Sequence, residues 1–267
     1  MLVLFIGVIH VIDGEALIWR IPWKGPMAFG RLCEIYVTYA LEHFSAPVVI
    51  LNGYHGPATK DETHERRRGK RVCSNMMFTN TSHVNVQKKP FLDNQSNKQR
   101  FIELLARTLE KAGIQCIRDE VDADYRIAKF AAESAQPKPT VVVSDDTDVQ
   151  VLLLSDIDPQ GEEVIVAAQQ HTISISKMKS QLDPLLVRIL IFIHAMSGCD
   201  TSSRPYGLGK TTAVSKYMEL QEAASTFLSA ESSPEDIEKA GEKALMTLLG
   251  VCHTLGGLDL GMASKFC

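Results

Sequence analysis

Several stretches of this chain are apolar from end to end: LVLFIGVIHVI at 2–12, PVVILN at 47–52, TVVVS at 140–144 and VIVAA at 164–168. A strand with one wet face alternates apolar with polar residues. Unbroken runs of this length belong to strands covered on both faces, as in a parallel sheet. Shorter runs at 114–117 and 172–176 extend the series. Helix signals lie between them. At 97–112, Phe101, Leu105, Thr108, Leu109 and Ala112 share one face, and Gly113 follows as a stop. A second helix is expected from 124 to 135, and Asp183-Pro184 opens a third that runs to 196. Strands alternating with helices specify an α/β fold with a doubly wound, mainly parallel sheet. Ligands of such sheets bind outside the carboxyl ends of the strands.

The acids fall at those ends. Asp13 closes the first run, Asp146 and Asp148 close VVVSDDTD, Asp122 and Asp124 lie just beyond 114–117, and Asp200 follows the apolar stretch LLVRILIFIHAMSG. Carboxylates gathered at about 4 Å repel by roughly 4 kcal/mol per pair at an effective dielectric near 20. A fold that collects them needs a neutralising partner, and a hard divalent cation is the usual one. Residues two apart in extended chain project to the same side, so Asp146 and Asp148 face together if that geometry persists beyond the strand, and Asp122 and Asp124 repeat the spacing at the entry to a helix. Two such pairs with Asp13 and Asp200 offer oxygens for two ions about 4 Å apart, a spacing suited to phosphodiester hydrolysis.

Bulk properties narrow the alternatives. With 267 residues, 45% of them hydrophobic and 22% charged, the chain has the make-up of a globular protein with one sizeable core. A net charge of −4 excludes coating of nucleic acid by bulk charge, while leaving room for a local basic patch. The six cysteines form no CxxC pair and no zinc spacing with histidine, which points to reduced thiols in an intracellular protein. MLVLFIGVIHVI lacks a basic leader, contains His10 and runs into Asp13 without a cleavage site, so it is read as a buried strand. It and 185–196, broken by Arg188 and His194, are too short to span a bilayer, and no membrane segment is expected.

Two regions stand apart from the sheet pattern. Residues 53–96 are polar and aperiodic, and 60–71 holds six Lys/Arg against three Asp/Glu, read as a solvated loop, a phosphate-contacting arm or a nuclear localisation signal. From Pro205 the chain reads as helices, one over 210–230 and another begun by Ser233-Pro234-Glu235-Asp236. Gly207-Leu208-Gly209-Lys210-Thr211-Thr212 resembles the end of a P-loop. However, Arg204 occupies the first glycine position and a helix precedes the loop, which disfavours an NTPase. Trp19 is expected in the core, Trp23 either in the core or on a base, and the histidines and Cys199 in packing roles.

Asp13, the Asp122-Ala-Asp124 pair, Ser144-Asp-Asp-Thr-Asp148 and Gly198-Cys-Asp-Thr-Ser followed by Gly207-Leu-Gly-Lys occur in an order that resembles the flap endonuclease (XPG-like) branch of the PIN-domain nucleases. The resemblance spans about residues 5–220. It implies a PIN-like core over 1–200, an arch-like insertion at 53–96, and a helical region over 201–267 of helix–two-turns–helix type. It implies two Mg²⁺ or Mn²⁺ ions with a metal-bound water as nucleophile. Asp13, Asp122 and Asp124 would serve the first ion, and Asp146, Asp148 and Asp200 the second. Lys60 and Arg66 would act at the scissile phosphate. With Arg67, Arg68, Lys70, Arg71, Gly207, Gly209 and Lys210, they would contact DNA or RNA, as expected of a nuclear protein.

The sequence departs from that pattern at three points. Asn52-Gly53 stands where the family has Asp-Gly, leaving an amide to ligate an ion or hold a water bound to it. Asp122-x-Asp124 replaces the family's Glu, and Lys210 stands where proline is common. Two readings remain open: a metal-dependent nuclease, or a nuclease-derived module that binds nucleic acid with little or no turnover.

Overall fold

The computed structural model describes residues 7–53, 73–119, 122–199, 202–203 and 205–250. Six strands, β1 (Ile9–Asp13), β2 (Pro47–Asn52), β3 (Gln115–Asp119), β4 (Thr140–Val143), β5 (Val164–Ala167) and β6 (Thr172–Ser174), form one sheet in the order β3-β2-β1-β4-β5-β6. β6 pairs antiparallel with β5, and every other pairing is parallel. The continuous apolar runs are the central strands: Val11, Ile12, Val49, Ile50, Val142 and Val143 are fully inaccessible. The chain moves outward through β1, β2 and β3, then crosses back to lay β4 beside β1. The switch point of the doubly wound sheet therefore lies between β1 and β4.

The chain divides into two compact units, 1–180 and 181–267. The first contains α1 (Gly14–Arg20), α2 (Phe29–His43), α3 (Lys88–Leu92), α4 (Gln95–Lys111), α5 (Ala123–Ser134) and α6 (Thr147–Asp156), and α7 (Ile175–Gln181) ends at its boundary. α4 buries Phe101, Ile102, Leu105, Ala106 and Leu109, the larger of these each contributing about 1.5–3 kcal/mol, and stops where Gly113 takes φ +82°. α2 places Phe29, Leu32, Cys33, Tyr36 and Ala40 in the same core. Trp23 joins it, with ring centroids 5.3 Å from Phe91 and 5.2 Å from Phe101.

The described part of 53–96, residues 73–96, packs against the core. Phe78 stacks on Phe29 at 4.1 Å, and Val84, Phe91 and Leu92 are buried. The buried Asn97 accepts from the Met76 N–H at 2.7 Å and donates to the Ser74 carbonyl at 2.9 Å, fastening the segment to α4. A few large side chains, too sparse to show a period, are enough to hold it. Residues 54–72 lie outside the described region.

The second unit contains α8 (Pro184–Met196), α9 (Lys210–Ser215), α10 (Tyr217–Leu228) and α11 (Pro234–Leu249). The single helix expected over 210–230 is two, because Lys216 leaves the helical region at φ −103°, ψ 15° and its ammonium reaches the Thr247 carbonyl at the end of α11. No helix among the described residues is long and apolar enough to cross a membrane.

Candidate metal centre

The site is built where β1 meets α1. Asp13 is both the last residue of the strand and the N-cap of the helix, its Oδ1 accepting the Glu15 N–H at 2.8 Å. No side chain fits between these two acids. A Cβ on Gly14 would lie 2.3 Å from Leu51 Cδ2 and 2.8 Å from the Ile50 carbonyl oxygen, so α1 begins in backbone contact with β2. Two donors fix the far end of this seven-residue helix. The Tyr36 hydroxyl donates to the Ile18 carbonyl at 2.8 Å, and Lys88 Nζ donates to the carbonyls of Ile18 at 2.6 Å and Ile21 at 2.7 Å. A cation at a helix C-terminus also complements its dipole.

The second wall comes from β4. Ile12 pairs with Val143, so Asp13 and Ser144 are next in line across the switch point. The buried Ser144 hydroxyl donates to Asp13 Oδ2 at 2.9 Å and accepts from the Asp146 N–H at 3.1 Å. Asp146 then N-caps α6, its Oδ1 accepting the Asp148 N–H at 2.7 Å. Asp122 starts α5 in the same way, accepting the Asp124 N–H at 3.1 Å.

Asp122 and Asp124 stand at a helix entry as expected, and Asp146 and Asp148 do not keep the extended geometry on which their facing together depended. The first acid caps a helix and the second sits in its first turn, because an Asp side chain satisfies an orphan N–H that a strand lacks. Asp124 and Glu15 come near Asp13 from helix starts instead of by alternation along a strand.

Asp13 is 9% exposed, with Asp124 and Glu15 close enough to add repulsion. Burial, foremost, pushes its carboxyl up to about 7 against the hydrogen bonds from Ser144 and Glu15 N–H. A buried, oxygen-only donor group with like charges beside it suits a hard divalent ion, which would offset both desolvation and repulsion. Glu15 has its own counter-ion, with Lys98 Nζ 2.6 Å from Oε2.

Glu15, Ser144 and Lys98 were assigned no role from sequence. The i, i+2 spacing of Asp13 and Glu15 repeats that of the other pairs and could have identified Glu15. Lys98 approaches only through tertiary packing. Trp19, expected in the core, is 43% exposed: α1 turns Ala16, Leu17 and Ile18 inward and leaves the indole outside. Its N–H donates to Glu15 Oε1 at 2.7 Å, and Lys88 Nζ lies 5.2 Å from the ring centroid. Trp23 is partly buried against the core, its N–H 3.0 Å from the Tyr36 hydroxyl.

Of the remaining predicted residues, Asn52 ends β2 beside Asp119 of β3. Gly207, Gly209 and Lys210 lie in the second unit: Gly207 takes φ +77°, and Gly209 caps α9, which Lys210 opens. Asp200, Lys60, Arg66, Arg67, Arg68, Lys70 and Arg71 lie outside the described residues.

No protein-family model and no curated protein matches the chain. Solved structures do. A bacteriophage T5 protein crystallised with metal ions aligns over 91% of this chain and 88% of its own, at TM-score 0.53 and 15% identity. The bacteriophage T5 flap endonuclease, as a pseudo-enzyme–product complex with DNA and metal ions, aligns over the same shares at TM-score 0.53 and 14% identity. T5 5′-exonuclease with zinc bound gives TM-score 0.52 at 14% identity, again over 91% and 88%. The chain shares the fold of these T5 structures.

Proposed function

We propose that this chain is a divalent-metal-dependent nuclease that hydrolyses phosphodiester bonds in structured or flap-like DNA or RNA. The observation that carries this reading is the convergence of Asp13, Asp124 and Glu15 at the sheet's switch point, with Asp13 buried and in need of a compensating charge. The T5 flap endonuclease of like fold, held in its product complex with DNA and metal ions, supports it.

Asp13, Asp122 and Asp124, with the Asn52 amide, would hold a first Mg²⁺ or Mn²⁺, and Asp146, Asp148 and Asp200 a second. When bound, the two ions supply Lewis-acid activation of water and stabilisation of the leaving oxygen. The chain's own residues do the rest. Ser144 orients Asp13 and ties it to the Asp146 backbone, so the two groups of acids keep a fixed spacing. Lys98 holds Glu15 to one side. The indole of Trp19, anchored by Glu15, offers an exposed face for a nucleobase. The basic run that includes Lys60, Arg66, Arg67, Arg68, Lys70 and Arg71 would contact phosphates and direct the protein to the nucleus. Gly207, Gly209 and Lys210 would grip duplex backbone.

The test is cleavage of labelled single-stranded, hairpin and 5′-flap DNA and RNA with Mn²⁺, Mg²⁺ or EDTA, beside Asp146→Ala. Metal-dependent cutting that the variant lacks is expected. Equal cutting by the folded variant would sink the proposed site. A second reading rests on Asn52, which ends β2 in an amide instead of a carboxylate: a binding module without turnover. It requires salt-sensitive binding with no metal-dependent product.

A further inference from the structure

The search for charge at the strand ends turns up one carboxylate that neither metal set uses. On the outward side of the switch point, β1 ends in Asp13 and β3 in Asp119, whereas β2 between them ends in Asn52. Asn52 and Asp119 are register partners in neighbouring parallel strands, which run about 4.8 Å apart. The Gly53 N–H donates to the Asp119 carbonyl at 2.7 Å, closing the ladder at its last step. The Asp119 side chain turns toward the start of α5, where Oδ1 accepts the Asp122 N–H at 3.1 Å. Asp122 then uses its own carboxylate to cap that helix. Asp119 thus stands directly behind two residues assigned to the first ion, Asn52 through the strand register and Asp122 through a hydrogen bond.

We propose that Asp119 supplies the first cation site with the negative charge that β2 lacks, acting across Asn52 and through Asp122 as a positioning residue. This inference rests on the cation-site reading above. The Asp119 carboxylate holds the Asp122 backbone in place and adds its field to a site whose central strand contributes only an amide. Carboxylates that support a metal ligand from outside in this way change affinity by roughly ten- to a hundredfold.

The two roles can be separated by substitution. Asp119→Asn retains an acceptor for the Asp122 N–H and removes the charge. Asn52→Asp combined with Asp119→Asn moves the charge one strand inward at constant total. The measurement is calorimetric titration of the full chain with Mn²⁺ alone, with Asp13→Asn as a reference and thermal unfolding in EDTA as the check on folding.

Asp119→Asn is expected to unfold like the parent and to bind Mn²⁺ ten- to a hundredfold more weakly, and the double variant to recover the lost affinity. Parental Mn²⁺ affinity in Asp119→Asn, or a double variant as weak as Asp119→Asn, overturns the inference. If Asp13→Asn loses binding while Asp119→Asn does not, only the role of Asp119 falls. If neither variant changes Mn²⁺ binding, the cation-site reading falls and takes this inference with it.

Discussion

Among the described residues, six helices begin with the same device, a side-chain oxygen that accepts a backbone N–H two or three residues on. α1, α5 and α6 start this way at Asp13, Asp122 and Asp146, and α4, α8 and α11 at Asn94, Asp183 and Ser233. In the first set the residue whose N–H is captured is itself acidic: Glu15, Asp124 or Asp148. In the second set it is Asn97 or Leu185, or else Asp236, whose carboxylate folds back onto the Ser233 hydroxyl at 2.7 Å. A cap needs one acceptor. A second acid at the same helix start adds charge that capping does not require, and on α1 that charge lies close enough to Asp13 to repel it. A shared capping device thus separates into a structural group and a chemical one, according to whether the captured N–H belongs to an acid that the cap itself does not use.

The largest effect that tests this separation should come from the buried acid. Asp13→Asn keeps the shape and an acceptor for Glu15 N–H, and cleavage is expected to fall to the level of the EDTA control. Stability should move the other way. The folded-state value near 7 lies above the ordinary 3.8, so the protonated carboxyl favours the fold. That contribution is complete below about pH 4 and is lost as pH rises through about 7. In EDTA, Asp13→Asn should therefore melt higher than the parent at pH 8, with the gap closing toward pH 4. A constant gap in thermal unfolding across this range would contradict the burial argument.

Ser144→Ala comes next. It removes the donor to Asp13 Oδ2 and the acceptor for the Asp146 N–H together. Metal-dependent cleavage should drop roughly ten- to a hundredfold, with its rising pH limb displaced upward because the Ser144 bond holds the Asp13 carboxyl down. Trp19→Ala should weaken single-strand binding by about 1–3 kcal/mol if the indole stacks on a base, seen as a raised KM at unchanged kcat. The smallest effect belongs to the other group of caps. Ser233→Ala should cost about 1 kcal/mol in denaturant unfolding and leave cleavage untouched. A loss of cleavage there would erase the distinction between the two groups.

The sheet could be read from sequence because strands buried on both faces have no reason to alternate, and 47–52, 140–143 and 164–167 stand where their apolar runs stand. α1 and α2 could not. α1 follows β1 without a break, so Asp13 reads as a strand end and its capping role stays hidden. α2 starts at Ala28 with no side-chain cap bond and carries Cys33, Ile35, Tyr36, Val37, Thr38 and Tyr39, types that do not favour a helix on their own. Tertiary packing against α4 overrides that preference. Residue type drew attention to Asp13 and Asp146, but the hydroxyl that joins them could not be paired with Asp13 from sequence. Ser144 is 131 residues from Asp13, and nothing in local sequence announces such a bond.

The contact between Gly14 and β2 constrains how this chain can vary over evolutionary time. The other two pairs enclose Ala123 and Thr147, residues with a Cβ, whereas the Asp-Gly-Glu triplet at 13–15 has no room for one. A lineage that acquired alanine at position 14 would have to part α1 from β2, and with it draw Asp13 away from Ser144, while keeping every acid. Counting carboxylates would then score such a descendant as intact. Its glycine, a residue with no chemistry of its own, is the better mark of whether the site has been kept or has decayed.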